Sequence, residues 1–200
     1  MARSRGLRVA ASKPIATGVA KGPGEDAEAH AAALGAATRS PRFTFEPAIS
    51  PSLAARKASA TITLAPIVNE TRELALTHDL VLIETAGGLF TPLGASAEGV
   101  VTNATLALAL SECDVVLVAP DRIGVLHDLG ACRFAANALG LARMHVVLSA
   151  PSRSDASTGT NAAEAKALRL VDIACSFPRA EYDAPSSAAA ARTLLSRLAI

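Results

Sequence analysis

The sequence predicts an α/β fold in which a parallel sheet is flanked by helices. Three observations predict it. Short apolar, β-branched runs recur along the chain, clearest at Val115-Val116-Leu117-Val118-Ala119 and at Val81-Leu82-Ile83. Segments with helical spacing separate them, and that alternation implies βαβ units. Composition agrees: half of the residues are hydrophobic but only 3% are aromatic, which suits alanine-rich helices packed closely on a sheet. Two hundred residues are enough for a sizeable core. No linker or internal repeat divides the chain, so one domain over residues 1–200 is expected.

In chain order, Leu7 to Ser12 reads as a weak strand stopped by Lys13-Pro14. Thr17-Gly18 follows in a loop. A helix opens at Glu25-Asp26-Ala27-Glu28 and runs to about Ala37; acidic residues in a first turn suit the helix dipole. Phe43-Thr44-Phe45 leads into a turn-rich segment, and Ser50 or Ser52 is placed to cap a short helix over 53–58. A helix over 64–77 carries Leu64, Ile67, Val68 and Leu74. Strand 80–84 is followed by an apolar helix over 99–111, strand 115–119, and a helix over 126–140 with a stripe of Leu126, Leu129, Phe134, Ala138 and Leu139. Strand 145–149, a Ser/Thr/Gly-rich loop over 151–160, a helix over 161–170, a short strand over 171–174 and a helix over 186–199 complete the chain. Right-handed crossovers put the loops after parallel strands on one edge. Lys13, Glu84, Asp121 and Ser149 are expected along it.

Charge and cysteine content narrow the function classes. A formal net charge of +1 gives no electrostatic case for nucleic acid or a membrane surface. No apolar run is long enough to span a membrane. Cys113, Cys132 and Cys175 are far apart and odd in number, which argues against a disulfide framework or zinc site and for a reducing cytoplasm. They read as small buried hydrophobes. His30, His78 and His145 are scattered and read as surface or packing residues.

The stretch around Glu84 carries the chemistry. A carboxylate at the carboxyl end of a central strand lies where open α/β sheets bind ligands. Gly87-Gly88 lets the backbone approach a ligand without a Cβ in the way. The residues alone leave two readings of Glu84 open: a Mg²⁺ or phosphate-side acid, or an exposed loop residue. Asp26 has the same two readings, a second metal-side carboxylate or a dipole partner.

Five ordered segments resemble the dethiobiotin synthetase family. They are Lys13-Pro14-Ile15-Ala16-Thr17-Gly18, Glu25-Asp26-Ala27, Phe45-Glu46-Pro47-Ala48-Ile49-Ser50-Pro51, Glu84-Thr85-Ala86-Gly87-Gly88-Leu89-Phe90-Thr91-Pro92-Leu93, and Arg122-Ile123-Gly124-Val125-Leu126-His127. The resemblance covers about residues 2–150. It implies a P-loop NTPase-like fold and an ATP- and Mg²⁺-dependent ligase that closes the ring of dethiobiotin from 7,8-diaminopelargonic acid and CO₂. Lys13 would be the catalytic lysine, and Thr17 would hydrogen-bond substrate. Asp26 and Glu84 would bind Mg²⁺ and the ATP phosphates, with Glu84, Thr85, Ala86 and Gly87 lining the nucleotide. Ile123, Gly124, Val125, Leu126 and His127 would help form a substrate carboxylate site across a homodimer interface.

Three departures accompany the likeness. No G-x-x-x-x-G-K-[ST] occurs in the 200 residues, so the family's first strand, P-loop and helix are expected to be missing from this stretch. Ala2 to Gly6 reads as the end of that helix. Either the loop lies upstream or the chain is a catalytically silent binding subunit, one version of which has a partner chain supplying the P-loop. Thr85 stands where the family has Gly. Ser149-Ala150 stands where it has Asn-Asp facing adenine, and a serine cannot make the two-point contact of an amide.

Overall fold

The computed structural model describes residue 2, residues 5–180 and residues 184–200. Arg3 and Ser4, part of the segment read as a helix end, lie outside the described residues. The chain divides into two compact units, residues 3–111 and residues 112–200 with the first two residues. Both are α/β with parallel strands and flanking helices, the class that the alternation predicts.

In the N-terminal unit, β1 (Val9–Ser12) pairs in parallel with β4 (Leu80–Ile83), with Val9 opposite Leu80 and Ser12 opposite Ile83. The ladder runs one step further, Glu84 N–H donating to Ser12 O at 2.9 Å. That register sets Lys13 beside Glu84 at the carboxyl ends of both strands. Residues 15–17, expected in a loop, instead form β2 (Ile15–Thr17), paired in parallel with β3 (Phe43–Phe45). Ile15 is 1% exposed, so the apolar side chain pulls the segment into the core. Three helices follow the prediction in number: α1 (Glu25–Leu34), α2 (Pro51–Lys57) and α3 (Leu64–Thr77). Helix α1 stops short of Ala37 because Gly35 turns left-handed and its N–H closes the last turn. Ser50 occupies the cap position of α2 but makes no side-chain cap bond; Pro51 starts the helix.

The largest correction falls at 92–102. That segment is an antiparallel hairpin of β5 (Pro92–Ser96) and β6 (Gly99–Thr102), and α4 starts only at Asn103 (Asn103–Leu110). Val100 and Val101 are β-branched and favour the extended backbone. Thr102 then starts the helix with a capping box: its hydroxyl accepts the Thr105 N–H, and Thr105 Oγ1 accepts the Thr102 N–H at 3.1 Å. Leu93 and Leu106 are buried against Ile15, Phe45, Ile67 and Val68. Each such side chain contributes about 1.5–3 kcal/mol by leaving water.

In the C-terminal unit, β7 (Val115–Pro120), β8 (Met144–Ser149) and β9 (Ile173–Phe177) form a parallel sheet in that order. Strand β9 begins two residues later than expected. The helices are α5 (Val125–Ala138), α6 (Asn161–Ala167) and α7 (Pro185–Arg197). Val125, Leu129, Val146, Leu148 and Val171 make its core. Phe134 and Leu139, expected on the inner stripe of α5, are exposed, because Val125, Leu129 and Ala136 take the inner face.

Among the described residues, β4 pairs only with β1, and β7 only with β8. Both keep apolar side chains in water: Leu82 on β4, and Val116 and Val118 on β7. No described helix is long and apolar enough to cross a membrane.

Candidate functional site

The site in the N-terminal unit is built on three elements. Lys13 leaves the end of β1, Glu84 leaves the end of β4, and Asp26 stands in the first turn of α1. The Lys13 ammonium lies 2.7 Å from Asp26 Oδ2 and 2.8 Å from Glu84 Oε1. It also reaches the Thr85 carbonyl at 3.5 Å. The lysine side chain is only 8% exposed, while Asp26 and Glu84 are 54% and 45% exposed. A buried cation is thus faced by two carboxylates open to water. Burial works against the ammonium, but the hydrogen bonds to Asp26 and Glu84, and their charges, more than offset it and hold the Lys13 pKa above its ordinary value.

His30 completes the cluster. Its Nε2 is 2.8 Å from Glu84 Oε2, and its buried Nδ1 has no hydrogen-bond partner. This corrects the expectation of a surface or packing residue. The signal that finds it is helical: Ala27, Ala31 and Leu34 mark the inner stripe of α1, and His30 follows Asp26 by four residues on the side next to that stripe.

The loop after Glu84 is held from below. Asn103 Nδ2 donates to Ala86 O at 3.0 Å and to Gly88 O at 2.8 Å. Gly87 is left-handed at φ 74°, and a Cβ there would stand 2.5 Å from Thr91 Oγ1. Its glycine serves the turn. A Cβ on Gly88 would meet nothing within 4 Å, so that backbone is open to a ligand. Thr17 stands at the end of β2 opposite Phe45 and, among the described residues, makes no hydrogen bond to Lys13, Asp26 or Glu84.

The second group of expected residues lies in the C-terminal unit, where β7 meets α5. Gly124 is left-handed at φ 89° and starts the helix. Val125 is buried in the core, Leu126 is half-buried, and Ile123 and His127 are exposed. The Ile123 N–H donates to Asp155 Oδ2 at 2.8 Å. Asp121 behaves differently from Glu84. Asp121 is 7% exposed and its carboxylate accepts from Gly159 N–H at 2.8 Å and Asn161 Nδ2 at 2.7 Å, with no cation on it among the described residues. Its own N–H donates to Ser149 O at 2.9 Å. Asp121, Ser149, Thr158, Gly159 and Phe177 line a cavity of about 660 Å³. The Ser149 hydroxyl is turned to Ala119 O at 3.4 Å. The three cysteines form no disulfide and are half-buried, and burial raises each thiol.

A family profile described as an AAA domain matches residues 2–182. Together with the parallel strands, it places the chain in the P-loop NTPase-like class of α/β proteins. The chain is 37% identical over 181 residues to the ATP-dependent dethiobiotin synthetase BioD of Rhodococcus jostii (strain RHA1), covering 88% of this chain and 76% of that one. It is 35% identical over 157 residues to the protein of the same name from Anaeromyxobacter sp. (strain Fw109-5), covering 77% and 68%. The chain belongs to the dethiobiotin synthetase family.

Proposed function

We propose that this chain carries the ligase site of an ATP- and Mg²⁺-dependent dethiobiotin synthetase, acting on 7,8-diaminopelargonic acid, CO₂ and ATP. The observation that supports the reading best is the bridge of Lys13 to both Asp26 and Glu84, in a chain whose relatives bear that name.

The residues suit the chemistry. One amine of the diamine adds to CO₂ and loses a proton, giving a carbamate. The carbamate oxygen takes the γ-phosphoryl group of ATP, releasing ADP. The second amine then attacks the carbamoyl carbon, closes the ring and expels phosphate. Negative charge builds up on the carbamate and around the moving phosphoryl group. A lysine kept charged by its two carboxylates is placed to offset it. The donor set also fits Mg²⁺, which is held through one or two carboxylates and completes its shell with water and phosphate. Among the described residues no group of three or more His, Cys, Asp and Glu forms a cage of its own. Asp26 and Glu84 would hold the ion, which supplies further charge neutralisation when bound. Thr17 and the 84–87 backbone would contact substrate and nucleotide.

The phosphate-cradling loop is taken to come from outside these 200 residues, upstream or on a partner chain. Apolar Leu82, Val116 and Val118, exposed on strands that have an unpaired edge among the described residues, support a further strand and helix. A homodimer through α5 is supported by His127, Ala131 and Phe134, which recur at helical spacing and are exposed, with exposed Ile123 just before the helix. Phe134→Glu is expected to give monomers by light scattering; an unchanged dimer would remove α5 from the interface.

The reading is tested by extending the chain upstream with its in-frame coding sequence and assaying dethiobiotin formation. Product from the extended chain is expected. An extended chain that carries the P-loop and makes no product overturns the ligase reading. The absent P-loop motif favours a second reading, a silent binding subunit, and turnover by the 200 residues alone would rule it out.

A further inference from the structure

We propose that His30 is a positioning residue that fixes the Glu84 carboxylate for a divalent cation, a role that rests on the reading of Asp26 and Glu84 as its carboxylates. The two oxygens of Glu84 are held from different elements. Lys13, at the end of β1, takes Oε1 at 2.8 Å, and His30, on α1, takes Oε2 at 2.8 Å. A glutamate side chain left to itself samples several rotamers. Gripped at both oxygens, it presents one carboxylate plane.

The direction of the His30 bond follows from the atoms. An ionised carboxylate only accepts, so Nε2 must donate. Nδ1 is buried and has no partner, and an N–H there would be a donor without an acceptor, which costs about 1–3 kcal/mol. The ring therefore carries its proton on Nε2. Nε2 carries a proton and cannot ligate a metal, and Nδ1 is buried away from the carboxylates, so His30 acts through Glu84. It does not join the coordination shell. The same helix turn presents Asp26, four residues earlier, to the same lysine. Helix α1 thus contributes one carboxylate directly and orients the other.

The test uses Mn²⁺ as the probe, with free ion read by its paramagnetic resonance signal, and the 200-residue chain. His30→Leu is expected to weaken Mn²⁺ binding about tenfold, the usual loss when a hydrogen bond behind a metal ligand is removed. His30→Gln carries an amide N–H of similar reach and is expected to restore affinity close to the wild type. Glu84→Gln should weaken binding on its own, and adding His30→Leu to it should change nothing more, since the two act through one carboxylate. Ring ¹⁵N shifts of His30 should report a proton on Nε2. If Glu84→Gln weakens binding while both His30 variants match the wild type, the positioning role falls and the metal reading stands. A ring that carries its proton on Nδ1 and none on Nε2 also overturns the role. If Glu84→Gln binds as the wild type does, or the wild type takes up no Mn²⁺, the metal reading itself falls and this role with it.

Discussion

Each unit of the chain ends a parallel strand on an acid, and the two acids are treated in opposite ways. Asp121 is buried and satisfied by neutral donors, the Gly159 N–H and the Asn161 amide. Asn161 in turn holds Ser157 O at 3.0 Å, so the carboxylate ties the 157–161 loop to the end of β7. Glu84 and Asp26 lie half in water, and one lysine serves both. Two negative groups against one positive leave the second site with a charge to offset. The first has none of its groups left wanting a partner. A carboxylate closed by neutral donors is a strut, and a cluster with more acid than base is open to a cation.

Exchanging the key group at each site should separate function from stability. The largest expected effect is on chemistry. Lys13→Gln in the extended, active chain should lower turnover about 10²–10³-fold, the usual loss for a group that stabilises developing charge. Its effect on folding should be small, at most about 1 kcal/mol, because both carboxylates keep much of their hydration. Turnover assays and urea melts of the same protein decide it. A large loss of stability with unchanged turnover would make Lys13 the strut.

Asp121→Ala should show the reverse. It leaves a part-buried backbone N–H and one N–H of the buried Asn161 amide without their acceptor, at a cost of about 1–3 kcal/mol. Asp121→Asn keeps one acceptor oxygen and should cost less. Neither change should alter Mn²⁺ affinity. A shift in metal binding with either variant would join the two sites and break the contrast.

Much of this contrast is legible in the residues themselves. Helix 64–77 can be read residue for residue, since Ile67 and Val68 fix its inner face and Thr77-His78 ends the pattern. Lys13, Asp26 and Glu84 stand out as residue types, and the β1–β4 register explains why the first and last meet. The run from Val100 to Leu110 misleads because its apolar residues show no single period to divide strand from helix. Thr102 and Thr105, three residues apart, hold the boundary. Counting every large apolar residue as core puts Phe134 inward. It lies five positions after Leu129, roughly 140° around the helix from it. Helical spacing sets His30 on the Asp26 side of α1, but its partner, Glu84, is 54 residues away, and the period of one helix does not reveal which contact is made across the fold.

The smallest expected effect sharpens the same contrast between charged and neutral partners. Asp79 and Asp155, one in each unit, are both lowered to about 2. For Asp79 the main cause is the Arg8 guanidinium, which grips it at 2.7 and 3.1 Å. For Asp155 it is the Ser157 hydroxyl at 2.6 Å, followed by the backbone N–H groups of Ile123 and Ser157. Both folded values lie below the ordinary carboxylate value, so the unfolded chain takes up these protons first. Each acid's stabilising contribution is complete above about pH 4 and is lost as the pH falls from there through about 2. Salt should tell the two apart. At 1 M the screening length is about 3 Å, so the Asp79 pKa should rise toward the ordinary range while that of Asp155, held by dipoles at contact, stays low. Arg8→Met should move Asp79 alone. Carboxyl ¹³C titrations by NMR at low and high salt measure both, and a parallel rise of the two would mean that Asp155 too depends on a charge, leaving no neutral-donor acid on the solvent side of the comparison.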